Sequence, residues 1–92
     1  MWINFAHLRE RSTSGSWINF AVFEAKFTSG TNSDNNTLLS QSTNKARASG
    51  LRIDQYALVF VQHGRIQFYG DQNLVNYLSR SGVPQWIHTI NV

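Results

Sequence analysis

Two apolar-rich segments, Trp2 to Arg9 and Ser16 to Phe27, are separated by a polar stretch ending in Thr13-Ser14-Gly15-Ser16. Two such segments around a Ser/Gly turn predict a β-hairpin. Both strands open alike: Trp2-Ile3-Asn4-Phe5-Ala6 recurs letter for letter as Trp17-Ile18-Asn19-Phe20-Ala21, a repeat too short for a solenoid. In the second strand, Trp17, Asn19, Ala21, Phe23, Ala25 and Phe27 share one face, and Ile18, Phe20, Val22, Glu24 and Lys26 share the other. Both faces are largely apolar through Phe23, which places this strand centrally, covered on two sides.

Thr28 to Asn36 carries Gly, Asn, Asp and Ser in succession, the composition of a flexible polar loop. Asn36 or Thr37 can cap a helix to about Ser49, with Leu39, Thr43 and Ala46 as a thin apolar stripe and Gly50 as the stop. Lys45 and Arg47 near its end suit the helix dipole. Ile53 to Gln62 is the strongest strand signal, and His63-Gly64 reads as a hairpin turn into Arg65 to Tyr69. There Ile66 and Phe68 are expected inward, and Arg65, Gln67 and Tyr69 outward. Asp71 is an N-cap for a helix to Arg80 with Leu74, Val75 and Leu78 inward, ended by Gly82 and Pro84. A last strand, Gln85 to Val92, puts Trp86, His88 and Ile90 on one face.

The expected order is β-β-α-β-β-α-β. This is an α+β fold in which an N-terminal hairpin precedes a ferredoxin-like βαββαβ arrangement, one sheet with helices packed on one face. A chain of 92 residues is expected to form one domain over 1–92, with the hairpin over 2–27 and the flexible loop over 28–36.

Charged residues make up only 14% of the chain, and the net charge of +3 favours anionic partners mildly. With no cysteine, disulfide frameworks and thiolate metal sites are excluded. No apolar run is long enough to span a membrane, and no signal-peptide pattern opens the chain. An intact small cytoplasmic protein, without membrane association, is the expectation.

Glu24-Ala25-Lys26, at the end of the central strand, is the most enzyme-like element. With the polar loop, the helix bearing Gln41 and Lys45, Gly50 and the strand from Ile53, it resembles the Glu-x-Lys half-motif of the PD-(D/E)XK nuclease superfamily. The resemblance covers roughly residues 17 to 62. It implies Mg²⁺-dependent phosphodiester hydrolysis, with Glu24 as metal ligand and Lys26 helping to position the attacking water. The family also carries an acid on the preceding strand; no Asp precedes Glu24, the only upstream acid is Glu10, and Asn4 stands closest to the expected position. Proximity of Asp54 to Glu24 would supply a second carboxylate.

His7, His63 and His88 have no metal-ligand spacing, and neither a nucleophile elbow nor a Gly-rich phosphate loop is present. Two binding readings remain. Lys45, Arg47, Arg52, Arg65 and Tyr69 form a basic and aromatic set suited to phosphates and bases. Trp2 and Trp86, in a chain of few charges, suit a protein interface, and an exposed edge of the first hairpin strand suits a homodimer or another partner. The reading that joins most of these residues is a small module without a cofactor that engages a nucleic acid or a nucleoprotein complex, as an inhibitor or adaptor. A nuclease using Mg²⁺ and a protein-interaction or self-assembling module are the alternatives.

Overall fold

β1 (Trp2–Arg11) and β2 (Trp17–Glu24) form the N-terminal hairpin of the computed structural model, which describes residues 2–25 and 32–92. α1 (Asn32–Ala48), β3 (Gln55–Gln62), β4 (Arg65–Gly70), α2 (Gln72–Ser81) and β5 (His88–Asn91) follow, in the expected order β-β-α-β-β-α-β. The sheet order is β4-β3-β2-β1-β5. β2 pairs in parallel with β3 across α1, and the other neighbours are antiparallel. The strands joined by α1 are therefore direct neighbours, not interleaved as in a ferredoxin-like sheet. β5 returns to cover the first hairpin strand, but only over Trp2–Phe5, so from Ala6 to Arg11 that strand remains an edge as expected.

The helices lie on opposite faces, a correction to the expectation of one shared face. Ile3, Phe5, Ala21, Phe23, Leu58 and Phe60 pack under Leu39 and Ala46 of α1. Phe20, Val22, Ala57 and Val59 pack under Leu74 and Leu78 of α2. Alternation decides this: the central strands β2 and β3 carry apolar side chains in both directions, and each face exposed to water would lose roughly 25 cal/mol per Å². Ala21, Val22, Phe23, Ala57 and Leu58 are completely buried as a result.

Several element bounds shift, three of them with structural consequences. β1 continues to Arg11, two residues beyond the expected end, because its ladder with β2 extends to the Arg11–Trp17 pair. α1 begins at Asn32, so the second part of the expected loop is helical; Asn, Ser and Asp serve helix starts as readily as turns. The last strand is confined to His88–Asn91, and Trp86 lies before it, packed with the α2-side core, while His88 stacks on Phe5 on the α1 side. Asp71 stands at the N-cap of α2 as expected but makes no side-chain cap bond. Its carboxylate instead accepts from the Tyr56 backbone N–H at 2.8 Å, tying the start of α2 to β3. Among the described residues no helix is long and apolar enough to cross a membrane.

Candidate nucleic-acid interface

Arg11 and Trp17 are cross-strand partners at the hairpin end, and Arg9 and Asn19 form the next outward pair. Positions 7, 9 and 11 of β1 and 17 and 19 of β2 continue the same two-residue series as Ile3 and Phe5 and as Ala21 and Phe23, so they point to the α1 side of the sheet. The hairpin extends beyond the start of β3, since Phe20 is the first β2 residue paired with it. Trp17 is 46% exposed there. The guanidinium carbons of Arg9 and Arg11 lie 4.2 and 4.4 Å from the centroid of its indole ring. Cation–π attraction holds both arginines over the ring, and the Arg11 guanidinium also donates to the Gly15 carbonyl at 3.0 Å.

The row continues towards the end of α1. Asp54 accepts from the backbone N–H of Asn19 at 2.9 Å and from its side-chain amide at 3.2 Å. Arg52 stands 3.9 Å from the other Asp54 oxygen. Arg47 donates to the Ile53 carbonyl at 3.2 Å and lies over the Tyr56 ring at 5.6 Å. His7 donates to the Arg52 carbonyl at 2.9 Å, so β1 is fastened to the turn after α1. The Asn19 hydrogen bonds, backbone first, hold the Asp54 carboxyl below its ordinary range, with smaller help from Arg52 and Arg47. Four of the chain's six arginines therefore line one surface with Trp17 and Tyr56. Glu10, between Arg9 and Arg11 in sequence, points to the other face and accepts from the Tyr77 hydroxyl at 3.0 Å.

The sequence-derived contact set is divided by this geometry. Arg47 and Arg52 belong to the arginine row. Arg65 does not: it pairs with Gln62 at the far end of β3, and the eight residues of that strand span about 25 Å. Tyr69 is half-buried against the α1-side core and its hydroxyl donates to Asn36 at 3.3 Å, so it is not an open stacking platform. Lys45 is exposed on α1 beside Gln41, Asn44 and Val92. Arg9, Arg11 and Trp17 were legible only as a strand end; their signal is the alternation Arg9-x-Arg11, which sends both to one face opposite Trp17.

Glu24 lies at the other end of β2, where the Asn4 amide donates to its carboxylate at 3.1 Å. Asn4 thus occupies the place from which an acid on the preceding strand would reach Glu24. Asp54 is bonded to Asn19, on the opposite face and on the order of 16 Å along β2, so it adds no second carboxylate. Among the described residues no cluster of three or more His, Asp or Glu side chains can hold a metal ion. Lys26 lies outside the described residues. Trp2 is 65% exposed beside the β1–β5 edge, and Trp86 is half-buried.

No protein-family model, curated protein or solved structure matches this chain.

Proposed function

We propose that this chain is a binding module for nucleic acid, alone or within a nucleoprotein complex, and that it acts without catalysis. The observation that carries the reading is the exposed Trp17 indole held beside Arg9 and Arg11 and continuous with Arg47 and Arg52. Guanidinium groups on flexible stems neutralise phosphates, and an accessible aromatic ring among them offers a base a stacking surface. Among the described residues Asp54 is the only carboxylate in the row, and its hydrogen bonds to Asn19 hold it in place between Arg52 and the hairpin. Among the described residues the α2 side has no such row of cations: Arg80 stands there beside Glu10, which faces Tyr77.

The test is a fluorescence-anisotropy titration of labelled oligonucleotides over a range of salt. Four phosphate contacts on a single strand correspond to a slope of log K against log salt of about −3. Arg9→Ala with Arg11→Ala should weaken binding and reduce the slope by about 1.5. Wild-type protein that binds no oligonucleotide at low salt would end the reading.

A metal-dependent nuclease centred on Glu24 and Lys26 draws on the family resemblance and on the approach of Asn4 to Glu24. A neutral amide leaves a single carboxylate there, whereas Mg²⁺ is ordinarily held by one or two carboxylates together with substrate phosphates. The arginine row lies at the other end of the sheet from Glu24, so the nuclease reading leaves it unused.

A further inference from the structure

A cleft on the α2 side of the hairpin shares Arg11 with the arginine row. The hairpin and α2 border this open cleft of about 430 Å³, with Glu10, Arg11, Ile18 and Phe20 on the hairpin side and Asn73, Asn76, Tyr77 and Arg80 on the helix side. That volume lies within the range of small-ligand sites, about 300–1,000 Å³. Its helix wall follows a simple rule: Asn73, Asn76, Tyr77 and Arg80 stand at i, i+3, i+4 and i+7, one stripe of α2 beside the buried stripe of Leu74 and Leu78. The hairpin wall is apolar at Ile18 and Phe20, both packed with the α2-side core.

The polar groups of the cleft have unused capacity. Glu10 accepts from Tyr77 through one carboxylate oxygen, and Gln72 donates to the Asn76 carbonyl oxygen, which leaves the Asn76 amide hydrogens to donate. Among the described residues the Asn73 amide and the Arg80 guanidinium have no side-chain hydrogen-bond or ion-pair partner. An apolar wall beside amide donors and acceptors, a carboxylate and a guanidinium is the chemistry that receives a planar heterocycle with hydrogen-bonding edges. Arg11 borders the cleft and also lies over Trp17, so one residue links it to the arginine row.

We propose that the cleft between the hairpin and α2 receives one unstacked base of a single-stranded nucleic acid whose backbone runs along the arginine row. This deepens the proposed function and rests on it. Arg80 takes the phosphate at the α2 lip, and Asn73 and Asn76 read the edge of the base. A base paired within a duplex cannot enter, so the protein selects single strands.

The experiment compares labelled single-stranded DNA and RNA homopolymers with a duplex of the same length, using wild type, Asn73→Ala/Asn76→Ala and Arg80→Ala. Both Asn side chains are exposed on α2, and circular dichroism confirms that the variants fold. The expected result is a preference for single strands of about tenfold. The Asn pair variant should lose about tenfold in single-strand affinity with an unchanged salt slope. Arg80→Ala should reduce the slope by about 1. Duplex binding as tight as single-strand binding, or an Asn pair variant that binds single strands like wild type, would overturn the cleft assignment while leaving the arginine row standing. Absence of binding to every oligonucleotide would instead remove the proposed function itself.

Discussion

The side-chain amide of Asn4 donates to the Glu24 carboxylate at 3.1 Å across the β1–β2 ladder. The acid that sequence singles out as a metal ligand is thus held by a neutral donor from the neighbouring strand. Asn4→Asp would set two carboxylates against each other, a like-charge contact that raises the pKa of one of them. The variant should lose about 1–2 kcal/mol at neutral pH, and added Mg²⁺ or Ca²⁺ should restore part of its Tm. A wild-type Tm that rises as much with the same cations would show that Glu24 already holds a metal.

Trp17 should report binding directly. Its indole is 46% exposed, so a base stacking there changes its fluorescence, and Trp17→Ala should cost about 1–3 kcal/mol of affinity with little loss of stability. Unaltered affinity would reduce the role of Trp17 to holding Arg9 and Arg11.

Gly70 is the residue whose replacement should damage the sheet most directly. It has φ +146°, and a Cβ there would lie 2.7 Å from the Ala57 Cα and closer still to the Tyr56 carbonyl oxygen. Both obstacles are backbone of β3, which cannot rotate aside. Gly70→Ala should destabilise by about 3 kcal/mol, measured by denaturant unfolding. Gly64→Ala, with nothing near its Cβ position, should cost about 1 kcal/mol through its positive φ alone.

Two ionisations make stability depend on pH in opposite senses. The Asp54 carboxyl is held below its ordinary 3.8, first by its hydrogen bonds to Asn19. It therefore stabilises the fold fully above that value, and the contribution disappears as pH falls through the lowered pKa. The Tyr77 hydroxyl is held above its ordinary 10.0 by its hydrogen bond to Glu10 and by burial. That contribution is complete below 10.0 and is lost as pH rises through the raised pKa. Unfolding titrations of Asp54→Ala and Tyr77→Phe should flatten the acid and alkaline limbs respectively.

The apolar-rich segments Trp2–Arg11 and Trp17–Glu24, the apolar run of β3, and the glycines at 64 and 82 are enough to order the elements, because each is a local signal of strand, turn or helix end. The start of α1 was hidden because the residues of a helix N-terminus are those of a loop. The arginine row was hidden for a different reason. Arg9 and Arg11 come from β1, Trp17 from β2, Arg47 from α1 and Arg52 from the turn before β3, and no spacing in one segment announces that convergence.

By itself the sequence determined the chain order β-β-α-β-β-α-β, the central place of β2 and the mild cationic balance, all consequences of residue type and short-range period. Tertiary structure alone decided that β2 and β3 are parallel neighbours, that α1 and α2 cover opposite faces, and that Arg52 and Arg65 stand at opposite ends of β3. It also set Asn4 against Glu24 and Asp54 against Asn19. The physical reason is that strand pairing joins residues far apart in the chain, and burying both faces of β2 and β3 selects one pairing from the several that the same alternation allows.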